Sequence, residues 1–281
     1  MKKHKIRSII LLSLGLLLIC TIIWVIWGNT ALTVSEFDIE SDSIPKSFDG
    51  FRIVQISDLH NAEFGSNNQS ILEKIRTAQP DMIVITGDLV DCRNTNCDIA
   101  IRFAQGAVKI APTYYVPGNH ESRIAEYPLL ESGLTDAGVC ILKDNSIDIT
   151  KNGEKIHLLG LIDPDFRLPQ DKVNTPDTLR NLTDSENYNI LLAHRPEGFS
   201  IYKDCGINLT FTGHAHGGQF RLPWIGGVYA PGQGLWPEYD AGLYTDGNTN
   251  MIVSRGLGNS LFPFRLNNPP EIIVATLKSA R

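Results

Sequence analysis

The stretch FRIVQISDLH (residues 51–60) alternates apolar and polar side chains, fills with β-branched ones, and breaks at an acid-x-histidine triplet. Such a run reads as a buried strand whose far end delivers polar groups. The pattern recurs downstream. MIVIT (82–86) stops at Gly87-Asp88, TYYV (113–116) at Gly118-Asn119-His120, NILLA (189–193) at His194, and INLTFT (207–212) at Gly213-His214-Ala215-His216. Between the first three strands the apolar spacing turns helical, at 69–78 before Pro80 and at 98–110 from an N-cap at Asp98. HLLGLI (157–162), MIVSRG (251–256) and EIIVATL (271–277) complete the strands, and the last two are expected to close a second sheet. Strands this apolar need both faces covered. The fold class is therefore α/β: a four-layer αββα sandwich of two mixed sheets with flanking helices. It occupies 51–281, after a polar segment at 28–50 that is a stalk or a first edge strand.

The motifs at the strand ends contribute Asp58, Asp88 and Asn119 together with His60, His120, His194, His214 and His216, five of the seven histidines. In D-x-H and H-x-H both side chains leave an extended backbone on one side, so each pair can enter one pocket. Glycines before Asp88, Asn119 and His214 allow sharp turns out of the strands. Mixed carboxylate and imidazole donors suit Mn, Fe or Zn better than Ca or Mg, which prefer oxygen alone. Seven or so ligands oversupply one ion and suit two that share a carboxylate. Each motif alone is commonplace, and a lone buried histidine is more often a hydrogen-bonded core residue. Five in order, each at a strand end, make a constellation.

In this order the motifs resemble those of the calcineurin-like metallophosphoesterases, D-x-H, GD, GNH, H and GHxH, over the chain from Phe51 onward. DLHNAEFG (58–65) and GHAHGGQFRLP (213–223) are most similar to the bacterial membrane-associated phosphodiesterase branch. The resemblance implies a two-metal phosphoesterase, a phosphodiesterase by branch. It makes Asp58, His60, Asp88 and His216 ligands of one ion and Asp88, Asn119, His194 and His214 ligands of the other, bridged by Asp88. His120 is implied to face the phosphate and to stabilise or protonate the leaving oxygen, while hydroxide shared by the metals attacks in line. Arg123 and Arg195 are candidate anion contacts, and Asp163 a candidate to orient a ligand histidine. A metal-dependent hydrolase of another bond and a non-enzymatic membrane-tethered metal-binding module are the alternatives, disfavoured by motif order and by the complete ligand set.

Ser8 to Trp27 is a twenty-residue run without a charge, long enough to cross a hydrocarbon core of about 30 Å. Lys2, Lys3, Lys5 and Arg7 precede it, which predicts a cytoplasmic tail and transmembrane anchor over 1–27 with the body outside the cytoplasm. A cleaved signal peptide is the competing reading, but the run exceeds the usual apolar core of roughly 7–15 residues and no small-x-small site follows. Leu17, Leu18 and Ile19 are too bulky for a lipidation box at Cys20. Beyond the four basic residues, 21 Lys and Arg face 31 Asp and Glu, a net charge of −10 that disfavours nucleic-acid binding. No protein partner is indicated. The expected substrate is a phosphoester, either lipid- or envelope-derived or a soluble nucleotide diester. Cys92 and Cys97, in the loop DCRNTNCD, are close enough in sequence for a disulfide that the sequence leaves open.

Overall fold

A computed structural model of the chain describes residues 2–167 and 175–280. Six strands form the first sheet: β1 (Thr33–Ser41), β2 (Arg52–Ile56), β3 (Met82–Thr86), β4 (Thr113–Val116), β5 (Cys140–Ile141) and β16 (Glu271–Ser279), in the order β1-β16-β2-β3-β4-β5. The second holds β6 (Asn145–Lys151), β7 (Glu154–Gly160), β8 (Tyr188–Leu192), β9 (Leu209–Thr212), β14 (Gly242–Asp246) and β15 (Thr249–Val253), ordered β14-β15-β9-β8-β7-β6. Both are mixed. Strands β2 to β5 run parallel, as do β7, β8, β9 and β15, while β6, β14 and the β16–β2 pair are antiparallel. Two small hairpins lie between β9 and β14: β10 (Arg221–Leu222) with β11 (Gly226–Gly227), and β12 (Tyr229–Ala230) with β13 (Gly234–Leu235).

The sheets bury Ile53, Val84, Ile190, Phe211 and Ile273 between them. Helices α2 (Gln69–Ala78), α3 (Cys97–Ala107) and α4 (Tyr127–Ala137) cover the outer face of the first sheet, packing Ile71, Phe103 and Leu130 against Ile56 and Ile85. Helices α5 (Thr175–Leu182) and α6 (Phe199–Asp204) cover the second through Leu179 and Tyr202. The four layers match the fold expected.

Two local expectations need correction. EIIVATL is β16 of the first sheet, not a closing strand of the second. Its Ile272 and Val274 face the helices and its Ile273, Ala275 and Leu277 face the other sheet, a slot covered on both sides. The second sheet is instead closed by β14, whose exposed, polar sequence carries little strand signal. Helix α3 is capped by Asn96, whose side chain accepts from the Asp98 amide, so Asp98 lies in the first turn. Of the two readings of 28–50, the structure shows the first edge strand: 33–41 lies in nine-residue parallel register with β16, which holds the lead-in to the body by sheet hydrogen bonds.

Ahead of β1 runs α1 (Lys2–Thr30), which from His4 to Thr30 is long and apolar enough to cross a membrane. Its end is fastened to the body. Asn29 donates to the Arg265 carbonyl and accepts from the Arg265 amide, at 3.0 and 2.7 Å, and Gly28 is buried.

Candidate metal centre

All eight motif residues are buried where β2, β3 and β4 of one sheet end opposite β8 and β9 of the other. Asp58, His60, Asp88, His214 and His216 have left-handed backbone, φ between 44° and 65°, which turns each chain abruptly at its strand end. Gly87, at φ 88°, fits the turning role expected of it. Gly118 and Gly213 are not in that region; they are glycine for room, because a Cβ on either would collide with the Asp88 or Asp58 carboxylate.

The side chains converge as two groups joined at Asp88. Asp58, His60, Asp88 and His216 offer one ligand atom each, all within 4.8 Å of one another, and Asp88, His194 and His214 do the same. Hydrogen bonds fix what faces the second pocket. His194 Nδ1 lies 2.7 Å from the Thr86 carbonyl, an acceptor only, so Nδ1 carries the proton and Nε2 of the neutral ring presents a lone pair. That lone pair meets Asn119 Oδ1 at 3.1 Å, His214 Nδ1 at 3.2 Å and Asp88 Oδ2 at 3.2 Å. Four nitrogen and oxygen atoms gathered at these distances need a shared proton or a cation among them. In the first pocket His60 Nε2 meets His216 Nε2 at 3.2 Å and Asp88 Oδ2 at 3.6 Å, with Asp58 Oδ1 3.4 Å from His216. The donor set fits two divalent cations sharing Asp88.

Protonation follows the same logic. Burial opposes charge on His194, but Asp88, Asp58 and Asp163 outweigh it and push its pKa up to about 10, so a proton takes the cation's place. Burial disfavours charge on Asp88 as well, yet its histidines hold it well below the usual carboxylate range. Burial pushes His60 down to about 3 and His214 and His216 well below the ordinary imidazole value. These three rings are neutral, the state in which an imidazole can bind a metal.

His120 stands at the rim. Its Nδ1 accepts from the Cys92 amide at 3.1 Å, which leaves the proton on Nε2, 4.0 Å from Asp88 Oδ2. Burial lowers its pKa.

Two residues escaped the sequence reading. Asp91 lies 3.8 Å from His120 Nδ1 and 4.0 Å from His60 Nδ1, forming a third acid–histidine group. Glu121, wholly buried, accepts from the amides of Asp88 (2.9 Å), Leu89 (2.7 Å), Val90 (3.3 Å) and Gly118 (2.7 Å), pinning the GD and GNH loops together. Burial, with Asp88 nearby, pushes its pKa up to about 8 against the pull of those amides. Both oxygens face N–H groups only, so the arrangement accommodates the carboxylate and offers no acceptor to a carboxyl proton. The only sequence signal was an acid directly after GNH.

Other expectations shift. Arg195 is held by Asp163 at 2.8 and 3.0 Å and by Asp165 at 2.8 Å, and Arg123 also bonds Asp165, so neither is a free anion contact. Asp163 thus orients Arg195 and hydrogen-bonds no ligand histidine. His157 bonds Asp148 and the Leu182 carbonyl, a structural role. Each of the five cysteines is free, Cys92 and Cys97 included.

The sequence profile of the calcineurin-like phosphoesterases matches residues 51–218, more than half of the chain. Metallophosphoesterase YkuE of Bacillus subtilis is 32% identical over 263 residues, covering 88% of this chain and 86% of that protein. Phosphodiesterase YaeI of Escherichia coli is 29% identical over 238 residues, covering 81% and 82%. A transmembrane protein with metallophosphoesterase domain from Danio rerio is 28% identical, covering 94% of this chain and 62% of its own length. The chain belongs to the calcineurin-like phosphoesterase family and is a metal-dependent phosphoester hydrolase.

Proposed function

We propose that this member of the family is a membrane-anchored two-metal phosphodiesterase with its body outside the cytoplasm. One ion is held by Asp58, His60, Asp88 and His216, the other by Asp88, Asn119, His194 and His214. The observation that carries the reading is the second pocket, where the Thr86 carbonyl locks the His194 tautomer and turns four electron-rich atoms on one point. Nitrogen and oxygen donors together favour Mn, Fe or Zn. Bound there, such ions supply Lewis acidity at the phosphoryl oxygens and an acidified water.

The chain's own residues position and neutralise. Asp88 sets the separation of the two pockets through its shared carboxylate, and Glu121 fixes the loop from which Asp88 projects. His120 offers Nε2–H to the phosphate and the leaving oxygen. Its Nδ1 is engaged by the Cys92 amide, so His120 acts as a neutral hydrogen-bond donor that stabilises developing charge. Full proton transfer would require a doubly protonated ring, with Nδ1 turned from Cys92 to Asp91.

Anchoring rests on α1 and its basic flank, and an uncleaved helix is favoured over a signal peptide because Asn29 and Gly28 are built into the body. The similarity to YaeI and the membrane segment together favour a phosphodiester of the cell envelope. The test is turnover of the full chain, stripped and reloaded with Mn, Fe or Zn, on a panel of phosphomonoesters and phosphodiesters. Metal-dependent cleavage with diesters preferred is expected; cleavage of monoesters alone overturns the assignment.

A further inference from the structure

The structure exposes apolar side chains chiefly along α1 and on one group of loops. Trp224 and Ile225 top the β10–β11 turn, Leu235 and Trp236 end the second hairpin, and Leu261 and Phe262 lie on the loop before β16; every one is more than a third exposed, Trp224 completely. Soluble surfaces rarely gather such residues in one place. Both tryptophans have left-handed backbone, φ 64° and 58°, so turn geometry holds these rings out. The loops are linked at their bases: Phe220 packs its ring on Phe262 at 4.9 Å, Gln219 donates to the Phe262 and Phe264 carbonyls, the Val228 amide donates to the Phe220 carbonyl and the Trp236 amide to the Val228 carbonyl.

This surface is tied to the helix end. Asn29 of α1 brackets the Arg265 backbone, and the buried Arg265 guanidinium donates to the Arg255 and Gly258 carbonyls, so the loop cannot swing away from the helix. Its reach from a membrane is short. The apolar run ends at Trp27 and β1 begins at Thr33, six residues that span at most about 20 Å even when fully extended. The surface also borders the metal centre, because Leu261 and Phe262 share the lining of one small pocket with His216.

We infer that the face carrying Trp224, Ile225, Leu235, Trp236, Leu261 and Phe262 docks on the lipid bilayer and admits a bilayer-held phosphodiester to the metal centre past Leu261 and Phe262. Indole rings suit the interface, with an apolar body toward the acyl chains and an N–H toward the headgroups. The inference rests on the anchored phosphodiesterase reading and adds the face by which substrate arrives.

The test uses the full chain in mixed phosphatidylcholine–phosphatidylglycerol vesicles. The protein's four tryptophans are Trp24, Trp27, Trp224 and Trp236, so W24F/W27F leaves the two loop rings as the only indole reporters. Brominated lipids are expected to quench their fluorescence about twofold or more, as they quench rings at interfacial depth. Unquenched fluorescence overturns docking whatever the activity, including the case in which a second copy of the chain covers the face. The variant W224S/W236S should cleave a phosphodiester lipid in the same vesicles about tenfold more slowly, from lost interfacial apolar area. It should cleave soluble bis(p-nitrophenyl) phosphate at the parent rate. Equal losses on both esters, or no loss on the lipid, overturn the entry route. Quenching in a metal-loaded W24F/W27F chain that cleaves neither ester overturns the phosphodiesterase reading and leaves docking supported.

Discussion

Replacing Glu121 by Gln tests whether the metal centre depends on a carboxylate that touches no metal. Glu121 Oε1 takes the Leu89 and Val90 amides and Oε2 takes those of Asp88 and Gly118. A glutamine keeps one oxygen and turns an NH2 group toward the other pair, so two charge-assisted bonds become donor-against-donor contacts in a fully buried site. Bonds to charged groups contribute roughly 1.5–3 kcal/mol each, so losing two of them should cost E121Q on the order of 3–6 kcal/mol. For a domain of this size that lowers Tm by roughly 10 °C. Thermal unfolding of the metal-free chain in detergent, followed by circular dichroism, reads the loss. Metal content after reloading reads the consequence, because Asp88 and Asn119 sit on the two loops that Glu121 joins. An E121Q chain that melts within about 2 °C of the parent and holds both ions would refute the argument.

Asp88→Asn removes the shared charge and is expected to abolish both metal retention and turnover, as measured by elemental analysis beside activity; retention of two ions refutes the bridge. His120→Ala should keep both ions and lower kcat by roughly 10²–10³, the span for one lost donor to developing charge. The deficit should be equal for good and poor leaving groups, and one confined to poor leaving groups would restore proton transfer. His194 supplies a pH dependence. Its folded pKa, raised to about 10 by Asp88, makes the metal-free pair fully stabilising below the unfolded value of 6.5 and progressively less so as pH rises toward 10. A metal must expel that proton, so apparent affinity at the second pocket should rise about tenfold per pH unit from 7 to 9. A flat titration by calorimetry would sink this.

The alternation of strands and helices and all eight motif residues were legible in the sequence because buried strands carry dense apolar signals and each ended on unusual chemistry. What went unread was carried by weaker signals. The β6–β7 hairpin turns at Asn152-Gly153, φ 51° and 85°, yet the exposed β6 and the polar start of β7 hide it, so β7 begins three residues before HLLGLI. β14 is polar and exposed, so the partner of β15 was invisible and β16 was assigned to the wrong sheet. Glu121 looked like any acid in a turn. Only the fold shows that four amides from two loops converge on it, and a sequence cannot display a contact between backbones.

The insertion of β16 between β1 and β2 sets a timetable. Among the described residues it is the last strand along the chain, yet it occupies an interior place in the first sheet. Until residues 271–279 emerge, β1 and β2 have no partner on their facing edges and the layer between the sheets lacks Ile273, Ala275 and Leu277. Nascent chains are therefore held open, with sticky strand edges, while the helix at the other end is already available to a membrane. A chain cut short before Glu271 would leave those two edges exposed and prone to aggregation and proteolysis.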